Sequence, residues 1–274
     1  MTNKRILDID GIPTEVLESG GQGDPIFIFH GNSSAADSFR RLMDGALGQR
    51  HRIVAVSFPG HGGSAQASEP EAMYSIQMLG RFASQVVRAH GAARYWLVGQ
   101  SMGGHALMES IDRFPGAQGL LLISSPPVSL ATLGEAFRPD PSAGCLFKGE
   151  LTEDEIALLV RCFGEKLPGP DQALLAHNIK RTDPEFRPFL GMSLARGDML
   201  DERALLDDAP FPVAILGGTD DRFLNADYYA SLPAHKLWKN QAILFEDSGH
   251  MLHLEQPERF EAVLSEYVGA AEAL

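Results

Sequence analysis

Short runs of β-branched, aromatic and other apolar residues recur at Arg5 to Ile9, Thr14 to Glu18, Ile26 to Phe29, Arg52 to Val56, Tyr95 to Val98, Leu120 to Ile123, Val213 to Leu216 and Ala242 to Phe245. Runs this short and continuous are the pattern of buried strands, and they predict eight of them. Between the later runs the apolar residues return at helical spacing, as in Tyr74 to His90, Gly104 to Phe114 and Pro257 to Ala271. Strand and helix in alternation predict an α/β domain whose mostly parallel sheet is covered by helices on both faces. The first two strands flank Asp10-Gly11 and predict an antiparallel hairpin instead.

The alternation stops after Pro126. Up to Asp208 no strand pattern occurs, and amphipathic pieces such as Glu153 to Phe163 and Gln172 to Arg181 are strung between Pro and Gly. An interval this long is not a simple loop. It predicts a helical cap, residues 128–208, inserted into a core made of residues 1–127 and 209–274. Phe137, Phe147, Leu158, Phe163, Phe186, Phe189 and Met192 are the large apolar side chains available there to line a pocket or to pack its underside.

Chemistry enters where the period changes from strand to helix. Gly99-Gln100-Ser101-Met102-Gly103 joins the run Tyr95 to Val98 to the helical pattern that follows. A serine at the centre of so sharp a turn is forced into strained backbone angles and needs small residues two positions to either side, which Gly99 and Gly103 provide. The turn lifts the Ser101 hydroxyl above the sheet edge and aims the Met102 N–H at the place where an oxyanion would form. His30-Gly31-Asn32-Ser33 follows another strand to the same edge, and the Asn32 N–H is the candidate second oxyanion donor.

A serine hydroxyl needs a base, and the base needs an acid to fix its tautomer. Ser248-Gly249-His250 lies on a loop after the last strand, ahead of a helix that opens at Gln256-Pro257, and makes His250 the candidate base; His253 is a weaker competitor. His61, in Phe58-Pro59-Gly60-His61-Gly62-Gly63-Ser64, lies in a turn and reads as structural. The acid is Asp220 or Asp221, adjacent residues after the strand Val213 to Leu216 and the turn Gly217-Gly218-Thr219. Three residues' separation from Gly218 favours Asp221. His30, Phe137, Leu158 and Phe189 are the candidate substrate contacts.

Composition narrows the partners. A net charge of −13 argues against a nucleic-acid surface, which needs clustered Lys and Arg, and against anionic membranes. Charges break the first residues at once, so neither a signal core nor a membrane span is expected, and a soluble cytoplasmic protein is. Cys145 and Cys162 form no metal-binding or Cys-x-x-Cys pattern and read as free thiols; no metal and no cofactor are expected.

With these residues in place, the chain resembles the α/β-hydrolase superfamily over nearly its whole length, through the His30-Gly31 turn, Phe58 to Ser64, the Ser101 turn and Ser248-Gly249-His250. The resemblance implies an eight-stranded α/β-hydrolase fold with an inserted helical cap. Serine at position 101 sets aside the branches whose nucleophile is a carboxylate. Within the superfamily, His30 to Ser34, Gly103-Gly104-His105, Gly119 to Leu122 and Ser125 to Val128 look like the metal-independent N-acyl-homoserine lactonases. In that group the acid lies at the position matching Asp221, as a glutamate, and a cap tyrosine that contacts the lactone ring aligns with Leu158; both are departures here.

The implied reaction is hydrolysis of a small ester or lactone through an acyl-enzyme, most closely that of an N-acyl-homoserine lactone. Other readings are a general carboxylesterase, an enol-lactone hydrolase, a carbon–carbon bond hydrolase suggested by Asp221-Arg222-Phe223, and a non-catalytic receptor using the same pocket.

Overall fold

In a computed structural model that describes residues 2–272, all eight strands form one sheet: β1 (Asn3–Ile9), β2 (Ile12–Glu18), β3 (Gln22–Phe29), β4 (His51–Val56), β5 (Tyr95–Gln100), β6 (Ala117–Ile123), β7 (Val213–Gly218) and β8 (Ile243–Phe245). Their order across the sheet is β1-β2-β4-β3-β5-β6-β7-β8. β1 and β2 pair antiparallel from Asn3 opposite Glu18 to Ile9 opposite Ile12, so the hairpin closes on the two residues Asp10 and Gly11. Both have positive φ, 50° and 85°, which matches the tight turn to the twist of the strands. β2 is also antiparallel to β4, and every later pair is parallel.

Side chains that alternate along each parallel strand enter two separate cores. Phe27, Phe29, Leu97, Leu120, Leu122, Val213 and Ile215 pack on one face, and Ile26, Ile28, Trp96, Val98, Leu121, Ile123, Ala214 and Leu216 on the other. Burial on both sides is why these strands read as continuous apolar runs instead of alternating ones. The helix Ile76–His90 covers the first face with Leu79, Phe82, Ala83, Val86 and Val87. It starts at Ser75, whose hydroxyl accepts the Met78 N–H, and stops at Gly91 in the left-handed region. The helix Pro257–Glu272 covers the second face with Phe260, Leu264, Tyr267 and Val268.

The predicted helix Gly104 to Phe114 is shorter than its pattern. It runs Met102–Met108, followed by a 3-10 turn at Ile111–Arg113. Pro115 excludes the helical conformation from the residue before it, so the chain turns towards β6 early.

Between β6 and β7 the chain is helical, with Leu133–Ala136, Glu153–Gly164, Gly169–Arg181, Phe186–Ala195 and Glu202–Asp207 as its α-helices. Thr152 and Glu155 cap the second of these reciprocally. Ile156, Leu159, Phe163, Leu175 and Ile179 form a third core together with Phe223, Leu224, Met251 and Leu254 from the loops after β7 and β8. The helical segment therefore packs on the ends of the strands that carry Asp221 and His250. Among the described residues, no helix is long and apolar enough to cross a membrane.

Candidate active site

The C-terminal ends of β3, β5, β7 and β8 deliver the candidate residues to one edge of the sheet, where the loops of parallel sheets gather. Ser101 ends β5 with φ 50° and ψ −122°, a conformation that non-glycine residues adopt only when the surroundings enforce it. Two backbone approaches enforce it here. A Cβ on Gly99 would lie 2.5 Å from the Gly104 Cα, and one on Gly103 would lie 2.5 Å from the Phe29 carbonyl oxygen. The turn is also tied to β6, since the Ser101 N–H donates to the Ile123 carbonyl at 2.8 Å and the Ser125 hydroxyl donates to the Ser101 carbonyl at 2.8 Å.

His250 and Asp221 meet across the loops after β8 and β7, with Nδ1 of the imidazole 2.7 Å from Oδ2 of the carboxylate. The second oxygen of Asp221 accepts the N–H groups of Phe223 at 2.9 Å and Leu224 at 3.2 Å. A carboxylate so engaged is fixed in orientation, and it assigns the Nδ1 proton of His250, leaving Nε2 as the basic nitrogen. Phe163 stacks on the imidazole at 5.8 Å and Phe223 meets it edge-on at 5.4 Å. Asp220 points away into solvent and pairs with Lys166 at 2.7 Å. Arg222 pairs with Asp140 at 3.2 Å.

Ser101, Met102, Asn32 and His250 all line one cavity of about 320 Å³. Its remaining wall is largely apolar, with Phe137, Phe147, Leu190, Leu194 and Phe223 prominent. Among the described residues, no acceptor lies within hydrogen-bond reach of the Asn32 or the Met102 backbone N–H. The turn that presents Asn32 is held from three sides: the Gly31 N–H donates to Gln100 Oε1 at 2.7 Å, the Asn32 side chain donates to the Leu146 carbonyl at 2.9 Å, and Arg187 donates to the Ser33 hydroxyl at 3.0 Å.

Three of the substrate contacts expected from sequence lie elsewhere. His30 is fully buried beneath the turn, where Nδ1 donates to the Gly31 carbonyl at 2.7 Å and Nε2 accepts the Phe58 N–H at 3.0 Å. Burial favours the neutral ring and pushes its pKa down to about 4. Leu158 packs with the third core and does not reach the cavity. It is five residues before Phe163 on the same helix, about 140° around the axis, and Phe163 takes the wall position. Phe189 faces a surface groove with Pro70 and Glu71, because Leu190 and Leu194, one helical turn apart, occupy the inward face of its helix. Of the other cap residues, Phe186 is buried against His61 and Tyr74, and Met192 is 49% exposed.

His253 does not compete with His250. It is buried and stacked on Phe39 at 4.3 Å, with burial lowering its pKa to about 3. His61 accepts the Ser33 N–H at 3.3 Å and is confined to the turn.

Two supporting residues carry no motif of their own. Glu255 accepts the N–H groups of Gly249 at 2.7 Å and Met251 at 3.3 Å, and so fixes the loop that presents His250. Burial raises its pKa even against those donors. Gln100 bridges the Gly31 turn and, through Nε2, the Met251 sulfur at 3.6 Å. Its place next to Ser101 inside the glycine motif is the one sequence signal that singles it out.

Comparison with known proteins agrees with this architecture. Residues 26–263 match the alpha/beta hydrolase family, and the chain belongs to it. The crystal structure of a mutant of the N-acyl homoserine lactonase AidH complexed with N-hexanoyl homoserine superimposes with a TM-score of 0.93 at 27% identity, covering 100% of this chain and 98% of that one. The pimeloyl-[acyl-carrier protein] methyl ester esterase of Nitrosomonas europaea is 26% identical over 89% of this chain and 95% of its own length. A 2-hydroxy-6-oxononadienedioate/2-hydroxy-6-oxononatrienedioate hydrolase of Paraburkholderia phymatum is 24% identical over 92% and 89%. The chain is thus a hydrolase of the α/β fold.

Proposed function

We propose that the chain is a serine hydrolase that opens a lactone or cleaves a carboxylic ester through an acyl-enzyme, and that N-acyl-homoserine lactones are its substrate class. The observation that carries the reaction is the buried Asp221 carboxylate on His250 Nδ1, 2.7 Å away, in the same cavity as the strained Ser101. His250 Nε2 takes the Ser101 proton as the hydroxyl attacks the carbonyl, and the unpartnered N–H groups of Asn32 and Met102 receive the oxyanion. His250 then protonates the departing alkoxide and activates the water that releases the acid. Residues 128–208 act as the cap that holds the acyl chain.

The substrate class is supported by the end-to-end likeness to AidH and by a cavity whose walls suit an acyl chain. A carbon–carbon bond hydrolase for a dicarboxylate is less well supported, because the cavity wall offers a second carboxylate one arginine, Arg138, beside two glutamates, Glu109 and Glu202, and no basic cluster.

The test is a mass measurement of products from a panel of acyl-homoserine lactones, enol lactones and p-nitrophenyl esters. A gain of one water on the lactones is expected, with Ser101→Ala lowering kcat by on the order of 10⁴-fold to 10⁶-fold without unfolding the protein. Full activity in Ser101→Ala would overturn the nucleophile. Hydrolysis of esters but not of lactones would overturn the substrate class. Absence of fluorophosphonate labelling at Ser101 would mark an inert receptor.

A further inference from the structure

The cavity wall carries a second polar cluster that ester hydrolysis does not use. His105 lies within the helix Met102–Met108 that follows Ser101, and Glu109 caps its C-terminal end one turn further on, its N–H donating to the His105 carbonyl at 2.9 Å. Both line the cavity, and so does Glu202 from the helical segment. The His105 Nδ1 is 2.9 and 3.0 Å from the two carboxylate oxygens of Glu202, and Glu202 also accepts the Val128 N–H at 2.9 Å. Glu109 is only 6% exposed, and among the described residues its Oε2 has no hydrogen-bond partner. A buried carboxyl oxygen without a partner is costly; the Leu200 backbone and the Gln77 side chain face the same carboxyl group, and the cavity it borders is lined mainly by apolar side chains such as Ile76, Leu190, Leu194 and Met199, with Arg138 also on its wall.

We propose that His105, Glu202 and Glu109 form a specificity subsite for a hydroxyl group carried on the acyl chain of the substrate, one to two helical turns from the scissile carbonyl. The inference rests on the hydrolase reading above and deepens it. A carboxylate at this position would meet Glu109 and Glu202. An ammonium would find the Glu202 charge already engaged by the His105 proton, which burial opposes but the Glu202 charge and hydrogen bond outweigh, and Glu109 only partly ionised near neutral pH. A hydroxyl fits both forms of Glu109, whose pKa is raised to about 7 by burial and then by the charge of Glu202. It donates to the carboxylate and accepts from the carboxylic acid.

The test compares kcat/KM for p-nitrophenyl octanoate and decanoate with the same esters bearing one hydroxyl at successive chain positions. At least one hydroxylated isomer is expected to be preferred by about tenfold, since a site built to hydrogen-bond discriminates against the chain that lacks the group. Glu109→Leu should bring that ratio to about one, and Glu109→Gln, which keeps a donor and an acceptor, should restore most of it. Glu109→Gln, which keeps the groups facing Leu200 and Gln77 supplied, also controls for any loss of stability in Glu109→Leu, checked by its thermal melt.

No preferred isomer in the wild type, or an unchanged ratio in Glu109→Leu, would overturn the subsite. Calorimetric binding of the matching free acids to Ser101→Ala keeps this separate from catalysis. If no ester is turned over, the hydrolase reading fails, while tighter binding of the hydroxylated acid, lost in Glu109→Leu, still supports the subsite. Tighter binding of an amino-substituted acid would overturn the choice of hydroxyl.

Discussion

Two adjacent aspartates show how little a residue's identity says until its surroundings are known. Asp221 is fully buried, holds His250 and accepts two backbone N–H groups, whereas Asp220 is a solvated partner of Lys166. Asp221→Asn should lower kcat roughly ten-thousand-fold with the fold intact, because an amide cannot fix the same imidazole tautomer. Asp220→Asn should change it by no more than about twofold, as exposed ion pairs contribute little. Steady-state hydrolysis of a p-nitrophenyl ester by both variants checks the pair, and equal losses would sink the assignment. Ser101, Asp221 and His250 were legible because each follows a strand and a turn at a recognisable spacing. His30 carries the same kind of signal after β3, yet its ring turns inward to satisfy two backbone groups, an orientation that position alone does not encode. Glu255 and Gln100 were missed because they act on backbone N–H groups and a thioether, for which no spacing rule exists.

At the scale of elements, the central parallel strands follow from apolar runs, since burial on both faces leaves an unambiguous pattern, whereas β1 is exposed over most of its length and follows from its pairing across the Asp10-Gly11 turn. How the helical segment latches onto the sheet does not. Asp37 pairs with Arg181 144 positions away, and Ser33 accepts from Arg187 154 positions away. Such partners have no local signature. Arg187 is the centre of the latch: it is 3% exposed and also donates to the carbonyls of Lys148 at 2.7 Å and Gly149 at 2.6 Å. Arg187→Met is expected to cost about 3 kcal/mol of stability by leaving buried carbonyls unpaired. The same variant should lower kcat more than it raises KM, because the turn carrying Asn32 loses one of its three supports while the apolar cavity wall remains. Arg187→Lys should recover only part of both, since an ammonium cannot reproduce the planar fork. Urea denaturation and kcat/KM on one ester measure the two effects, and a variant as stable as the wild type would refute the latch.

For the molecule as a whole, the neutral buried histidines set the response to acid. His30, His61 and His253 all have pKa values depressed by burial, to about 4 for His30, well below normal for His61 and to about 3 for His253. An unfolded chain takes up these protons below its ordinary value of about 6.5, and the folded one does not. Each histidine therefore withdraws roughly 1.4 kcal/mol of stability per pH unit as the pH falls from about 6.5 towards the folded values. Glu109 acts in the opposite sense. Its folded pKa of about 7 lies above the ordinary carboxyl value of 4.5, so its contribution is full below 4.5 and is lost as the pH rises through 7. Glu255 and His105, whose pKa values are also raised, act in the same sense as Glu109, while His90, lowered by burial, adds to the three histidines. His253 isolates the effect because neither of its ring nitrogens has a hydrogen-bond partner among the described residues and its ring already stacks on Phe39. His253→Phe should raise stability at pH 7 by about 1–3 kcal/mol by removing two unsatisfied polar atoms, and should move the acid-unfolding midpoint to lower pH. His253→Leu serves as the control for aromatic packing and should shift the midpoint in the same direction. Circular dichroism during acid titration of the three proteins gives the answer, and a midpoint unmoved in both variants would mean that His253 is already protonated in the folded state.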